Sequence, residues 1–190
     1  MQGVDYCPVE NVAGYKPHNS AIRHGDWEHL PFDDNAADVI FTLAAIHHLL
    51  DNRETFYREC HRVLKSRSGR LIIADVLDDT PPAHFLNEFV DTYSSQGHRG
   101  IFISKGDDCA RLESGGLFEV TAFRHVKFDW RFDSEEEMVF FSKNLFRLDQ
   151  ASDDRVLEGV CKYLDAHQTN DGFAFRWELA LIRADKQITA

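Results

Sequence analysis

The spacing of apolar and polar positions changes several times along the chain, and each change marks an element. Residues 38–45, DVIFTLAA, form a continuous apolar run of strand length, the pattern of a parallel strand buried on both faces. Residues 46–51, IHHLLD, follow as a helical turn. Phe56, Tyr57, Cys60, Val63 and Leu64 then recur at helical spacing, with Asp51 and Glu54 three apart in the manner of a capping box. Residues 70–76, RLIIADV, are the most strand-like run and end on Asp75. After a DDTPP break, Phe85, Leu86, Phe89, Val90 and Tyr93 mark the inner face of a helix over about 83–95. Ser104 and Gly115 bracket a short helix as N-cap and C′ residue.

Further along the period becomes two. In residues 118–132 the even positions Phe118, Val120, Ala122, Val126, Phe128, Trp130 and Phe132 are apolar, with Arg124 the exception. Such alternation predicts an antiparallel strand near a sheet edge, with one face solvated. Ser134 and Glu137 form a capping box for the next helix, and Val156, Leu157, Val160, Cys161 and Leu164 line another. Phe173, Phe175, Trp177, Leu179 and Leu181 share one face of a last strand. Upstream, a very short strand ends at Asp5, and residues 20–26 read as a strand that stops at Gly25-Asp26.

Composition narrows the function classes. The 190 residues suit one domain, 1–190, large enough for a sizeable core. A net charge of −11 supplies no basic face for a phosphate backbone, so no nucleic-acid partner is expected. No apolar run approaches the ~20 residues of a membrane span, and no basic-then-apolar leader is visible. Cys7, Cys60, Cys109 and Cys161 are scattered without a CxxC pair, as in reduced thiols of a cytoplasmic protein. His24, His29, His47, His48 and His61 lack the HxxxH spacing of a helical metal site, so no metal is expected. Nucleophile-elbow, Walker and GxGxxG motifs are also missing.

In open α/β sheets, ligands sit beyond the carboxyl ends of the strands. That rule gathers Asp26, Trp27, Thr42, Leu43, His47 and His48 on one rim. The ordered series GVDYCP, GDWEHLPFDDNAADVIF, HHLLD and FYRECHRVLKSRSGRLIIADV resembles the class I S-adenosylmethionine-dependent methyltransferases of the small-molecule kind, over roughly residues 3–76. The resemblance implies a Rossmann-like α/β sheet, mostly parallel, with helices on both faces and a C-terminal antiparallel hairpin formed by the two long strands. It implies S-adenosylmethionine as cofactor. Asp5 would accept from the ribose hydroxyls, with Tyr6 beside the adenine. Asp26 would accept from the adenine amino group, Trp27 would meet the ring, and Thr42 and Leu43 would complete the cofactor-binding set. From the residues alone, Asp5 is equally a turn or N-cap aspartate ahead of Pro8, and Trp27 equally a half-buried core aromatic.

One departure matters. The family's glycine-rich loop and the strand before it would precede Gly3, so relative to the family the domain is truncated at its N-terminus and its first strand is missing. An unpaired strand edge invites completion by a second copy, so a homodimer that completes the sheet is the partner this implies. Two functions follow. One is transfer of a methyl group to a small organic acceptor, an apolar one where the cluster Met138, Phe140, Phe141, Leu145 and Phe146 would line its channel. The other is a non-catalytic methyltransferase-like binding or scaffold protein that has lost the cofactor site. For catalysis, His47 and His48 are the candidate general bases, since imidazole titrates near neutral pH.

Overall fold

The computed structural model describes residues 25–188. Its sheet runs in the order β1 (Val39–Leu43), β2 (Arg70–Asp75), β5 (Gly172–Lys186), β3 (Phe118–Phe132), with β4 (His167–Thr169) added alongside β5. β1 and β2 are parallel, with Leu43 opposite Ala74. Their crossover is the helix α1 (Arg53–Val63). β5 pairs antiparallel with β2, β3 and β4. The described sheet is therefore mostly antiparallel, which corrects the mostly parallel expectation. The reason is geometric: β5 returns from a tight hairpin with β4 and inserts between β2 and β3, so each of its ladders is antiparallel. The two further strands expected before residue 26 lie outside the described residues. The edge position of the alternating strand β3 is as expected, and a register shift between Val120 and Ala122 interrupts its long ladder.

Strand alternation sends successive side chains of β5 to opposite faces, and each face builds its own core. Phe175 and Trp177 join Phe132, Val76, Met138, Val156, Val160 and the aromatic helix face of Phe85 and Phe89. Ala180, Ile182 and Ala184 join Leu71, Ile73, Tyr57, Cys60, Leu112 and Phe118. The first face is covered by α2 (Pro81–His84) and α3 (Asp91–Tyr93), joined by the π-helical segment Phe85–Val90, together with α5 (Glu135–Leu145) and α6 (Asp153–Leu164). The second is covered by α1 and α4 (Lys105–Glu113). Helices thus lie on both faces. Burial at this density, roughly 25 cal/mol per Å² of apolar surface, is what holds a sheet whose edges are so unequal.

Local signals explain the helix ends. Ser134 accepts from the Glu137 N–H at 3.2 Å, while the Glu137 carboxylate takes the Asp133 N–H at 2.8 Å. The expected capping box is present with its return bond one residue early. Ser152 caps α6 in the same way through the Arg155 N–H. At α1 the N-cap is Asn52, with no side-chain cap bond. Gly115 takes the left-handed conformation after α4, φ 65°. Phe141 and Phe146 pack into the aromatic core and Met138 is fully buried, while Phe140 and Leu145 point outward at 69% and 52% exposure. That cluster serves mainly as core.

β1 differs from the rest of the sheet. Val39, Phe41 and Leu43 are about half exposed, and β2 is the only strand paired with it among the described residues. The burial on both faces expected for this strand is realised instead in β2, where Leu71, Ile73 and Ala74 are inaccessible.

Candidate functional site

The carboxyl ends of β1 and β2 meet at a short, tightly bonded corner. β1 stops because Ala44 turns into the left-handed region, φ 48°, while its N–H still reaches the Ala74 carbonyl at 2.8 Å. A 3₁₀ turn, Ile46–His48, follows, and Leu50, again at φ 48°, opens the next. Two non-glycine residues at positive φ bracket the His47-His48 pair, and backbone strain of this kind gathers at sites that something else must hold in place.

What holds it is Asp75, the last residue of β2. Its carboxylate is fully buried. Oδ1 accepts from His47 Nδ1 at 2.7 Å and from the Val76 N–H at 2.7 Å. Oδ2 accepts from the His47 N–H at 3.1 Å. Because a carboxylate only accepts, His47 carries a proton on Nδ1, and Nε2 is the ring nitrogen outside this bond. The His47 side chain is itself buried. Asp75, which the sequence places only as the end of a strand, is a positioning residue for His47.

A third histidine arrives from far along the chain. The His98 ring centroid lies 5.3 Å from those of both His47 and His48, which are themselves 3.9 Å apart. The loop that carries His98 is fastened along its length. Asp91 accepts the His98 N–H at 2.8 Å, Asn87 exchanges two bonds of 2.9 Å with Gly100, and the Ile101 N–H reaches the His47 carbonyl at 3.0 Å. Arg53 donates to the Phe102 and Ile101 carbonyls while pairing through Nη1 with both oxygens of buried Asp108, at 2.7 and 2.8 Å. Tyr57 also donates to Asp108, and burial first, then the Asp108 charge, pushes its hydroxyl pKa up. Asn87 and Asp91 are thus engaged in holding this loop. His84 is engaged with Glu88 and Asp79.

Burial sets the proton state of two of the three rings, His48 and His98. It pulls the His98 pKa down to about 4, with His47 and His48 adding to the effect, and it lowers His48 as well, followed by the neighbouring His47. At neutral pH the His98 imidazole is uncharged, with a lone pair to offer.

The other expected site residues divide. Asp5 and Tyr6 lie outside the described residues. Asp26 is exposed on a tight turn, its carboxylate accepting the Glu28 N–H at 3.1 Å, and Trp27 beside it is half-buried. Thr42 and Leu43 end β1, directly ahead of the histidine turn. As an exposed acceptor carboxylate and a half-buried indole, Asp26 and Trp27 have the chemistry to meet a nucleobase edge and face.

Residues 2–73 match the methyltransferase domain family. Over 99 residues, or 52% of this chain and 31% of the relative, the sequence is 34% identical to malonyl-[acyl-carrier protein] O-methyltransferase 1 of Coxiella burnetii. The fold is that of a SAM-dependent methyltransferase of Methanosarcina mazei, with a TM-score of 0.55 at 15% identity over 99% of this chain and 82% of that one. Residues 2–73 thus match a methyltransferase domain, and the described residues share the fold of S-adenosylmethionine-dependent methyltransferases. The BH2331 protein of Bacillus halodurans shares the fold too, with a TM-score of 0.58 at 19% identity over 93% and 74% of the two chains. S-adenosylmethionine is the cofactor that a methyltransferase domain with this fold implies. The chain spans about a third of the length of the curated relatives it matches.

His98 and Arg53 are the functional positions that sequence reasoning passed over. No local pattern marks a loop histidine whose partners lie fifty residues away. Arg53 lies outside the apolar pattern of α1, yet an arginine needs only one buried carboxylate, here Asp108, to be drawn inside.

Proposed function

We propose that this chain is the methyl-transferring portion of an S-adenosylmethionine-dependent methyltransferase acting on a small organic acceptor. The observation that carries the reading is the Asp75–His47 pair: a buried carboxylate fixing the tautomer of an imidazole at the carboxyl rim, one turn beyond Thr42 and Leu43. Asp5, Tyr6, Asp26, Trp27, Thr42 and Leu43 would hold the cofactor, which supplies an electrophilic methyl group when bound. The protein's part is then alignment, worth up to roughly 7–11 kcal/mol in well-oriented systems. His47 Nε2 takes the proton from an acceptor hydroxyl or acidic carbon. His48, more exposed, forms the outer wall where the acceptor enters. The domain 1–190 works as one unit in this reading, in the cytoplasm.

Titration with S-adenosylmethionine and S-adenosylhomocysteine tests it, with Asp5→Ala alongside. Saturable heat that the variant abolishes supports the reading, and release of S-adenosylhomocysteine with hydroxylated acceptors completes it. No heat and no thermal shift at high cofactor concentration sinks it. A second reading, a non-catalytic binding or scaffold protein that dimerises through its sheet, is favoured by the half-exposed Val39, Phe41 and Leu43 of β1. It requires silent titrations together with a dimer in sedimentation that Phe41→Glu dissociates.

A further inference from the structure

We propose that His47, His48 and His98 form a binding site for one divalent transition-metal ion, with zinc the best match. Each offers one ring nitrogen, and the three lie within 4.8 Å of one another. Imidazole is a preferred ligand of zinc, copper, nickel and iron, and three protein ligands with a fourth position open is the usual form of a reactive zinc site. The sequence argued against a metal because its histidines lack helical ligand spacing. That argument covers sequence neighbours only, and the third ligand comes from a separate loop.

Two further observations point to an ion. First, His98 Nδ1 is buried and has no hydrogen-bond partner. A buried polar atom left alone costs about 1–3 kcal/mol, and an ion or water is the ordinary resolution. Second, Asp75 accepts from His47 Nδ1 at 2.7 Å. This is the carboxylate–histidine arrangement that orients a metal ligand and raises its basicity. It leaves Nε2 of His47 for the ion. Zinc–nitrogen bonds of about 2.0–2.1 Å in a tetrahedron bring ligand nitrogens to roughly 3.4 Å from each other. Closure by up to about 1.4 Å is needed from the 4.8 Å limit, and His48, the exposed member, has the freedom to make it. The loop bearing His98 is already fastened to His47 through the Ile101 N–H, so most of the site is set before the ion arrives.

Metal binding and proton acceptance are alternative uses of the same His47 lone pair. The proposal is therefore tested apart from methyl transfer. The full chain is stripped with a chelator and titrated with zinc, nickel and cobalt, alongside His98→Gln and Asp75→Asn. The expected result is one ion per chain, a rise in Tm on zinc addition, and a tetrahedral cobalt spectrum. Asp75→Asn should lose roughly 10–100-fold in affinity, and His98→Gln more. Circular dichroism of each variant confirms that it is folded. Weak binding of several ions, or binding that His98→Gln leaves unchanged, overturns the proposal as adventitious contact with other histidines. Titration of the metal-free protein with S-adenosylhomocysteine separates the failures: heat there without metal binding removes the metal site alone, and metal binding without heat removes only the cofactor reading.

Discussion

Two aspartates, Asp75 and Asp108, are the most thoroughly buried carboxylates described, at 0% and 1% exposure, yet they do opposite kinds of work. Asp108 faces Arg53, a permanent cation, and its remaining lone pairs take the Tyr57 hydroxyl and the Ser104 N–H. Every member of that group is occupied, and nothing in it has chemistry left to offer. Asp75 instead faces an imidazole and two backbone N–H groups. The imidazole keeps a second nitrogen, and that nitrogen belongs to a cluster of three histidines. Two equal burials thus give a structural fastening in one place and a poised ligand in the other. What separates them is whether the partner's last lone pair is used up. They are also linked: Arg53, held by Asp108, grips the Ile101 and Phe102 carbonyls of the loop that brings His98 to Asp75's histidine.

The largest effect should come from breaking the fastening. Asp108→Ala strands a buried guanidinium, a loss of about 3–5 kcal/mol, read as a lower urea midpoint. Replacing both partners, Arg53→Met with Asp108→Leu, should recover most of that loss. It should still loosen the His98 loop, seen as faster amide exchange at Ile101. If the double variant is as unstable as the single one, Arg53's carbonyl contacts matter more than its ion pair.

Asp75→Asn should cost less, about 1–3 kcal/mol, because the amide keeps the shape and one acceptor oxygen. Its signature should be functional: the His47 tautomer is no longer fixed, so cofactor-dependent turnover or metal affinity falls further than stability does. Equal losses in both would make Asp75 a second structural fastening and erase the distinction.

Acid should separate the regions next. His98 faces His47 and His48, with Asp91 the carboxylate on its own side, and its folded pKa is depressed to about 4 from 6.5. Below 6.5 the unfolded chain takes up a proton that the folded one refuses. The stability contributed by neutral His98 is thus complete above that value and is lost as pH falls toward 4. In metal-free protein, urea midpoints should decline across this window, and His98→Gln should flatten the decline. An unchanged slope would place the acid sensitivity elsewhere.

Much of this architecture is legible in the amino-acid pattern, and the reasons for the rest are physical. β2, β3 and β5 follow from runs and alternations that burial alone enforces. The rim of Thr42, Leu43, His47 and His48 follows from strand ends. The antiparallel majority is a property of where β5 inserts, which no strand's own sequence records. The π-helical turn at Phe85–Val90 keeps apolar spacing close to that of an α-helix, so Phe85, Leu86, Phe89 and Val90 are read correctly as inward while the helix type is not. Asp75 is readable as a strand-end acid but not as a histidine's partner, since the pairing needs the parallel register of Leu43 with Ala74. His98 is the extreme case: its role depends wholly on tertiary approach.

The smallest effect tests whether the histidine corner is strained on its own account. Ala44 sits at φ 48°, where an L-residue with a Cβ gives up about 1–2 kcal/mol relative to the right-handed form. Ala44→Gly removes that strain but adds unfolded-state freedom worth about 0.4–1 kcal/mol. The two nearly cancel, so a net gain of about 0.5 kcal/mol is expected by thermal unfolding. Because the Ala44 N–H still reaches the Ala74 carbonyl, the β1–β2 ladder should hold its register. A clear loss of stability instead would mean that the Ala44 methyl is packed rather than strained. The turn that presents His47 would then be held from both sides, by Asp75 below and by the Ala44 side chain above.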